Sequence, residues 1–546
     1  QFVYDGGSGS KLTLNSIYTS LVVEGSGMVV NSGTLTLVGT HTVHGTGSAT
    51  GKNANRYFNN MDWHYADATA DVTVKNGATF ELGSHARLTG DVTVNSGGTF
   101  VLRESVQHSL EYIEGGQRLE STAAIADFHG HKGNVSLADG AWLRIEYNDG
   151  VTADSGYAAS ISGSGNVYVN LKNAAVSLTL TGESSYAGMK ELVCGGIIGD
   201  KATSLGNTES NKWLLHNDAW IASHADSPEV LLNRIDTQST GTLALSMDTL
   251  RQLDLSTHTG LYLGAEKGTI VHYGEQGTSL TLAAVNGQWK LGGGGGELVV
   301  HFKLSGDNDL LLGSGNASSG TVHLVNSTND FTGDIVFNSA GVKLTYAAGA
   351  LGDSNVTLLY GNGVQLQEAA DVNRITAAAD GMLLVDNINT VGIDLSTRPS
   401  VAVGASVDVT YSGAITLADG AEYRFGAMNG ATLTIDSELH AGHNMVVDAQ
   451  GLTGGTVMFA EVGGFNGSIT VMGHKDGLGG DIVLGLSKDG VLANAASLTL
   501  QNGGILDVGH TYQTIRNLST EAGALLTGMS DGTLEFNMQT ERFLHG

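Results

Sequence analysis

The chain has 546 residues, among them 79 glycines, 2 prolines and 1 cysteine, and its 54 acidic and 26 basic side chains leave a net charge of -28. Such a surface repels phosphate backbones and anionic lipid heads, which argues against nucleic acid as a partner. With 41% hydrophobic and 15% charged residues the sequence is too apolar for a disordered chain, yet it holds no run of about 18 apolar residues that would cross a bilayer as a helix.

The opening residues, QFVYDGGSGS, have neither a basic start nor an apolar run, so no export signal is expected within them. Residues 29–39 (VVNSGTLTLVG) give a first strand, turn, strand pattern. Residues 51–67 interrupt it with aromatics in a polar context. Tyr57, Phe58, Asp62, Trp63 and Tyr65 form the candidate ligand-binding set, because flat rings stack on the apolar faces of sugars while a carboxylate accepts from hydroxyls. The alternative is that these rings pin the loop or cap an end.

Residues 71–82 (DVTVKNGATFEL) and 91–102 (DVTVNSGGTFVL) are near-identical and start about 20 positions apart, the length of one solenoid coil. In both, apolar and polar residues alternate, and Asn-Gly or Ser-Gly supplies a positive-φ corner. Residues 103–131 interrupt again, with much charge and some helical spacing; His129 and His131 could meet His108 there around a transition metal, but an isolated His-x-His without a third fixed ligand is a weak signal, and all three read as surface histidines. The strand pattern returns at 134–147, 414–426 and 497–509. Cys194, in LVCGG, reads as a small core residue, and with no second cysteine it forms no intramolecular disulfide.

Residues 207–236, with Trp213, Trp220 and His224, form a third interruption. The five glycines at 292–296 read as a flexible turn, since no Lys-Ser/Thr follows to make a phosphate cradle. In SGDNDLLLGSGN, Asp307 and Asp309 are spaced like a single nonapeptide calcium repeat and are the candidate metal ligands; residues 477–485 are similar. Calcium is the one cofactor the spacing suggests. No tandem follows, and turn-forming aspartates explain the same residues.

Together these segments predict an all-β chain, a right-handed parallel β-helix running as one domain over 1–546, with surface insertions at 51–67, 103–131 and 207–236 and capping rungs at 496–546. The near absence of proline, which cannot donate to a ladder, fits that reading. At about 20 to 25 residues per rung and about 4.8 Å between strands, on the order of 25 rungs and a rod of roughly 120 Å are expected.

Three segments, 162–188, 327–358 and 496–526, resemble the autotransporter-associated β-strand repeat of bacterial passenger proteins, with Gly-x-Gly, Leu-Thr-x-x-Gly and aromatic-x-Gly steps in the first and Asp330-Phe331-Thr332-Gly333 in the second. The resemblance implies export through the outer membrane to the cell surface, with the translocating barrel, the only membrane part, absent from these residues. The expected function is that of a structural or adhesion protein that attaches to host or glycan surfaces or to copies of itself. The alternative is a polysaccharide lyase or glycoside hydrolase with paired carboxylates on one rod face. No serine-protease motif is present, and no catalytic pair is assignable from the sequence.

Overall fold

The computed structural model describes residues 2–16, 21–23, 27–43, 61–64, 66–83, 86–104, 110–114, 117–121, 130–149, 151–207, 211–314, 320–450, 454–460, 463–473, 482–521, 523–529 and 531–536. The fold is almost all β, with 2% helix, and parallel strands stack into a β-solenoid of about 18 turns. The described residues fall into two compact units, 1–247 with 253–267, and 248–252 with 268–546.

In the first unit Val72–Val74 pairs in parallel with Val92–Val94, which pairs with Val135–Leu137 and then Ile161–Gly163. Ala78–Leu82, Thr99–Glu104, Trp142–Tyr147 and Asn166–Asn170 stack in the same order in a second sheet. The two strands of one rung therefore belong to different sheets, and the Asn-Gly corner between them is not a hairpin. Gly77, Gly97 and Gly140 turn these corners at φ 73°, 73° and 72°, a region that costs any residue with a Cβ.

Register explains why near-identical segments recur. Phe80, Phe100, Leu143 and Val167 stand one above another, as do Leu82, Leu102, Ile145 and Val169, and all are at most 1% exposed. Each such side chain contributes roughly 1.5 to 3 kcal/mol on burial, and within each column apolar residue meets apolar residue. The Phe80 and Phe100 rings stack at 5.5 Å.

The turn count is lower than the expected 25 because rungs are unequal. The Asp91 N–H donates to Asp71 Oδ1 across 20 residues, but the Asn134 N–H donates to Asp91 Oδ1 across 43, since residues 103–131 intervene. Those intervening residues carry an antiparallel pair, Leu110–Glu114 with Gln117–Ser121, where helical spacing was expected. Of residues 207–236, 213–223 form the rung strand Trp213–Ser223, parallel to Lys190–Gly199, with Trp213 and Trp220 buried; only then does a short helix, Pro228–Leu232, follow, capped by Ser227.

His131 departs most from its expected surface place. It is 2% exposed, in the interior stack between Phe100 (5.4 Å, edge-on) and Tyr157 (6.1 Å). Its Nδ1 lies 2.8 Å from Tyr157 Oη and its Nε2 3.2 Å from Gly90 O. Burial pushes its pKa down to about 4, against smaller opposing effects of the Gly90 carbonyl and Asp91.

The second unit contains a 12-stranded parallel sheet that begins at Ile270–Tyr273 and ends at Leu518–Thr520, and a 6-stranded one from Val409–Tyr411 to Leu525–Thr527. The glycines at 292–296 form a mostly buried corner in place of the flexible turn expected, with φ of 93°, 107°, 79° and 84° at the first four.

One device runs through both units. An Asp or Asn at a corner or at the start of a strand accepts, through its side chain, the backbone N–H of the equivalent position one rung on: Asp154 from Ser177, Asn166 from Met189, Asp248 from His272, Asp309 from Asp334, Asp408 from Thr432 and Asp489 from Tyr512. A second group (Asp236, Asp254, Asp394) bonds the N–H two residues on in its own turn. Much of the acidic composition is thus corner chemistry.

Candidate functional site

In a half-buried strand the polar phase faces outward, and in the first unit that phase carries an unusual set. Trp142–Tyr147 buries Leu143, Ile145 and Tyr147 and turns out Trp142, Arg144 and Glu146; Asn166–Asn170 buries Val167 and Val169 and turns out Asn166, Tyr168 and Asn170. Register sets these side chains in columns. One reads Thr34, Thr79, Thr99, Trp142, Asn166; the next Glu81, Val101, Arg144, Tyr168, Glu191; a third places Arg103, Glu146 and Asn170 side by side.

The columns are tied together. The Arg103 guanidinium lies 3.4 Å from Glu81 Oε1 and 3.2 Å from Glu146 Oε2, while Arg144 Nε is 2.6 Å from Glu146 Oε1. The Arg144 guanidinium carbon sits 4.1 Å over the Tyr168 ring centroid. Further along, His216 Nε2 meets Glu191 Oε1 at 2.8 Å. The result is a flat polar face with two half-exposed rings, Trp142 and Tyr168, on adjacent rungs, bordered by guanidinium and amide groups. Strands about 4.8 Å apart present such groups at a spacing close to that of successive sugar units.

Each of the three carboxylates on this face already faces a cation or an imidazole. Glu81, Glu146 and Glu191 thus each spend a carboxylate oxygen on a neighbouring side chain of the face.

The ligand set expected from residues 51–67 is only partly placed. Tyr57, Phe58 and Tyr65 lie outside the described residues; Asp62 and Trp63 lie in Met61–His64, whose backbone runs antiparallel to residues 40–43, with Thr42 opposite Asp62 and His41 opposite Trp63. Asp307 is exposed and its Oδ1 lies 3.4 Å from Thr332 Oγ1; Asp309 spends an oxygen on the Asp334 N–H, 3.0 Å away. Among the described residues no group of three His, Cys, Asp or Glu side chains is arranged to hold a metal. His108 and His129 lie outside them.

Cys194 is half-buried, opposite Asn170 and Asp218 at a register shift, and burial together with Asp218 pushes its thiol up to about 11, which leaves it a poor nucleophile. His224 lies between Glu266 (3.0 Å) and Asp200 (3.7 Å); burial opposes its charge, but the two carboxylates outweigh it and raise its pKa.

Trp142 and Tyr168 were legible only as strand residues. Their phase is the signal: in AWLRIEY the tryptophan shares the register of Arg and Glu, so it stands outside with them. Compared with protein-family models, curated proteins and solved structures, the chain has no match.

Proposed function

We propose that this protein is an exported, passenger-like β-solenoid that attaches to glycans through the outer face of its first unit. The observation that carries the reading is the pair of half-exposed rings, Trp142 and Tyr168, set among Arg103, Arg144, Asn166 and Asn170 on a rigid sheet. Export to the bacterial cell surface rests on the passenger-type repeats together with the solenoid fold. The cation-paired carboxylates favour binding over cleavage, because a lyase or hydrolase needs a carboxyl group free to give and take a proton.

Self-association is a second role, favoured by the exposed apolar side chains of Leu525, Leu526 and Met529. Glycan-array binding tests the first role, with Trp142→Ala and Tyr168→Ala as controls. Loss of a stacked ring weakens glycan binding about tenfold. Array signals unchanged in both variants would remove this face as the site.

A further inference from the structure

At the start of the 12-stranded sheet of the second unit an exposed histidine, His272, meets a buried one, His301, outside the face described above. His272 is exposed near the end of Ile270–Tyr273, the first strand. His301 directly follows Glu297–Val300, the next strand, and its N–H donates to Tyr273 O at 2.9 Å. Stacking brings the two imidazoles together from adjacent rungs, with ring centroids 5.1 Å apart and planes 29° from parallel. His272 Nδ1 and His301 Nε2 face each other at 2.8 Å.

Two nitrogens that face each other share at most one proton, and protonating both brings two like charges together. One divalent metal satisfies both lone pairs. At metal to nitrogen distances of about 2.0 to 2.1 Å and angles of about 90° to 109°, two ligating nitrogens sit roughly 2.9 to 3.4 Å apart. A separation of a few tenths of an ångström, within a rotamer adjustment, takes the pair from what is observed to that geometry.

The surroundings suit a cation. Asp248 Oδ1 accepts the His272 backbone N–H at 2.8 Å, which sets a carboxylate beside the pair. One rung on, His323 stands in register with Val299 and His272, and its Nδ1 lies 3.2 Å from Glu297 Oε1.

We propose that His272 and His301 form an open two-imidazole site for a divalent first-row metal of the Zn2+ or Cu2+ class, with water or an external ligand in the remaining positions. Imidazole nitrogen selects these ions over Mg2+ and Ca2+. A metal there also clips two adjacent rungs at the start of the sheet.

The test uses Cu2+ as the probe on the full chain, read by electron paramagnetic resonance and by titration calorimetry, with circular dichroism to confirm that each variant keeps its β content. The expected result is a two-nitrogen signal with affinity at least tenfold weaker in both His272→Ala and His301→Ala, retained in His440→Ala, an exposed histidine of the same unit, and displaced by a large excess of Zn2+ but not of Mg2+. Cu2+ binding equal in the wild type and both variants, or absent from the wild type, overturns the site and leaves the pair as an N–H···N hydrogen bond.

Discussion

The buried histidine of the first unit predicts a specific acid sensitivity. His131 takes up its proton near 6.5 in the unfolded chain but only near 4 in the folded one. Above 6.5 both states hold the imidazole neutral, and its contribution to stability is fully present. As pH falls from 6.5 towards 4 only the unfolded state gains a proton, so stability drops by up to about 3 kcal/mol and then levels. Between pH 7 and pH 5 the loss is about 2 kcal/mol, roughly thirty-fold in the protection of neighbouring amides. His131→Gln retains a donor and an acceptor towards Tyr157 and Gly90, and His131→Phe retains the ring; both abolish the titration. Hydrogen exchange of peptides covering 86–104 and 130–147, corrected for intrinsic rate, reads the effect locally. The wild type is expected to lose protection steeply below pH 6.5 and both variants to show that much shallower a slope, whatever their baseline at pH 7. Equal slopes in all three proteins would refute the assignment of His131 as the acid-sensitive group.

Gly133→Ala places a Cβ about 2.1 Å from the Gly90 carbonyl oxygen, so the first unit should lose about 1 to 3 kcal/mol, checked as a lowered midpoint in urea. Asp91→Ala removes the acceptor for the Asn134 N–H at a cost of about 1 kcal/mol; Asp91→Asn should recover most of it, and exchange at the Asn134 amide is the readout. Arg103→Gln opens the Glu81 and Glu146 pairs, with a stability change within about 1 kcal/mol that fades in 1 M salt, where screening reaches about 3 Å. Serine at Leu525, Leu526 and Met529 together should abolish any concentration-dependent oligomer of the wild type in sedimentation velocity, and an oligomer that persists places the contact elsewhere.

The stacked strands were legible because their signal is local: Val-Thr-Val and Thr-Phe-x-Leu alternate with period 2, and a glycine at positive φ marks each corner. The rung count was not, since the sequence separation of Asp91 from its partner Asn134 depends on how many residues intervene between the two rungs. Trp213 and Trp220 looked like an interruption because WLLHNDAWIAS lacks clean alternation; the register shift between Leu192 and Cys194, opposite that strand, changes which phase is buried. The turn aspartates were identified by type but not by reach. Their bonds to the next rung form only once rungs are stacked, and no single corner contains both partners. His131 was misplaced for a similar reason, as its two partners come from the neighbouring rungs, 41 residues before it and 26 after it in sequence.

A parallel solenoid separates the constraints on its two faces. Inside, columns such as Phe80, Phe100 and Leu143 stack apolar side chain on apolar side chain, so a change at one position is constrained by its neighbours above and below. Outside, no such stacking rule applies, and the usual occupant is Thr, Asn or a charged residue that water solvates freely. Trp142 departs from this: its neighbours in the column, Thr99 and Asn166, are too small and polar to cover an indole. Apolar ring area left in water costs about 25 cal/mol per Å2, and the interior gains nothing from it. A ring held half-open by a rigid strand, with Arg144 already fixed over the neighbouring Tyr168, recovers that cost only when a second apolar face covers it. The pyranose face of the proposed glycan ligand is such a surface, and Asn166 and Arg144 beside the rings offer hydrogen-bonding groups for its hydroxyls.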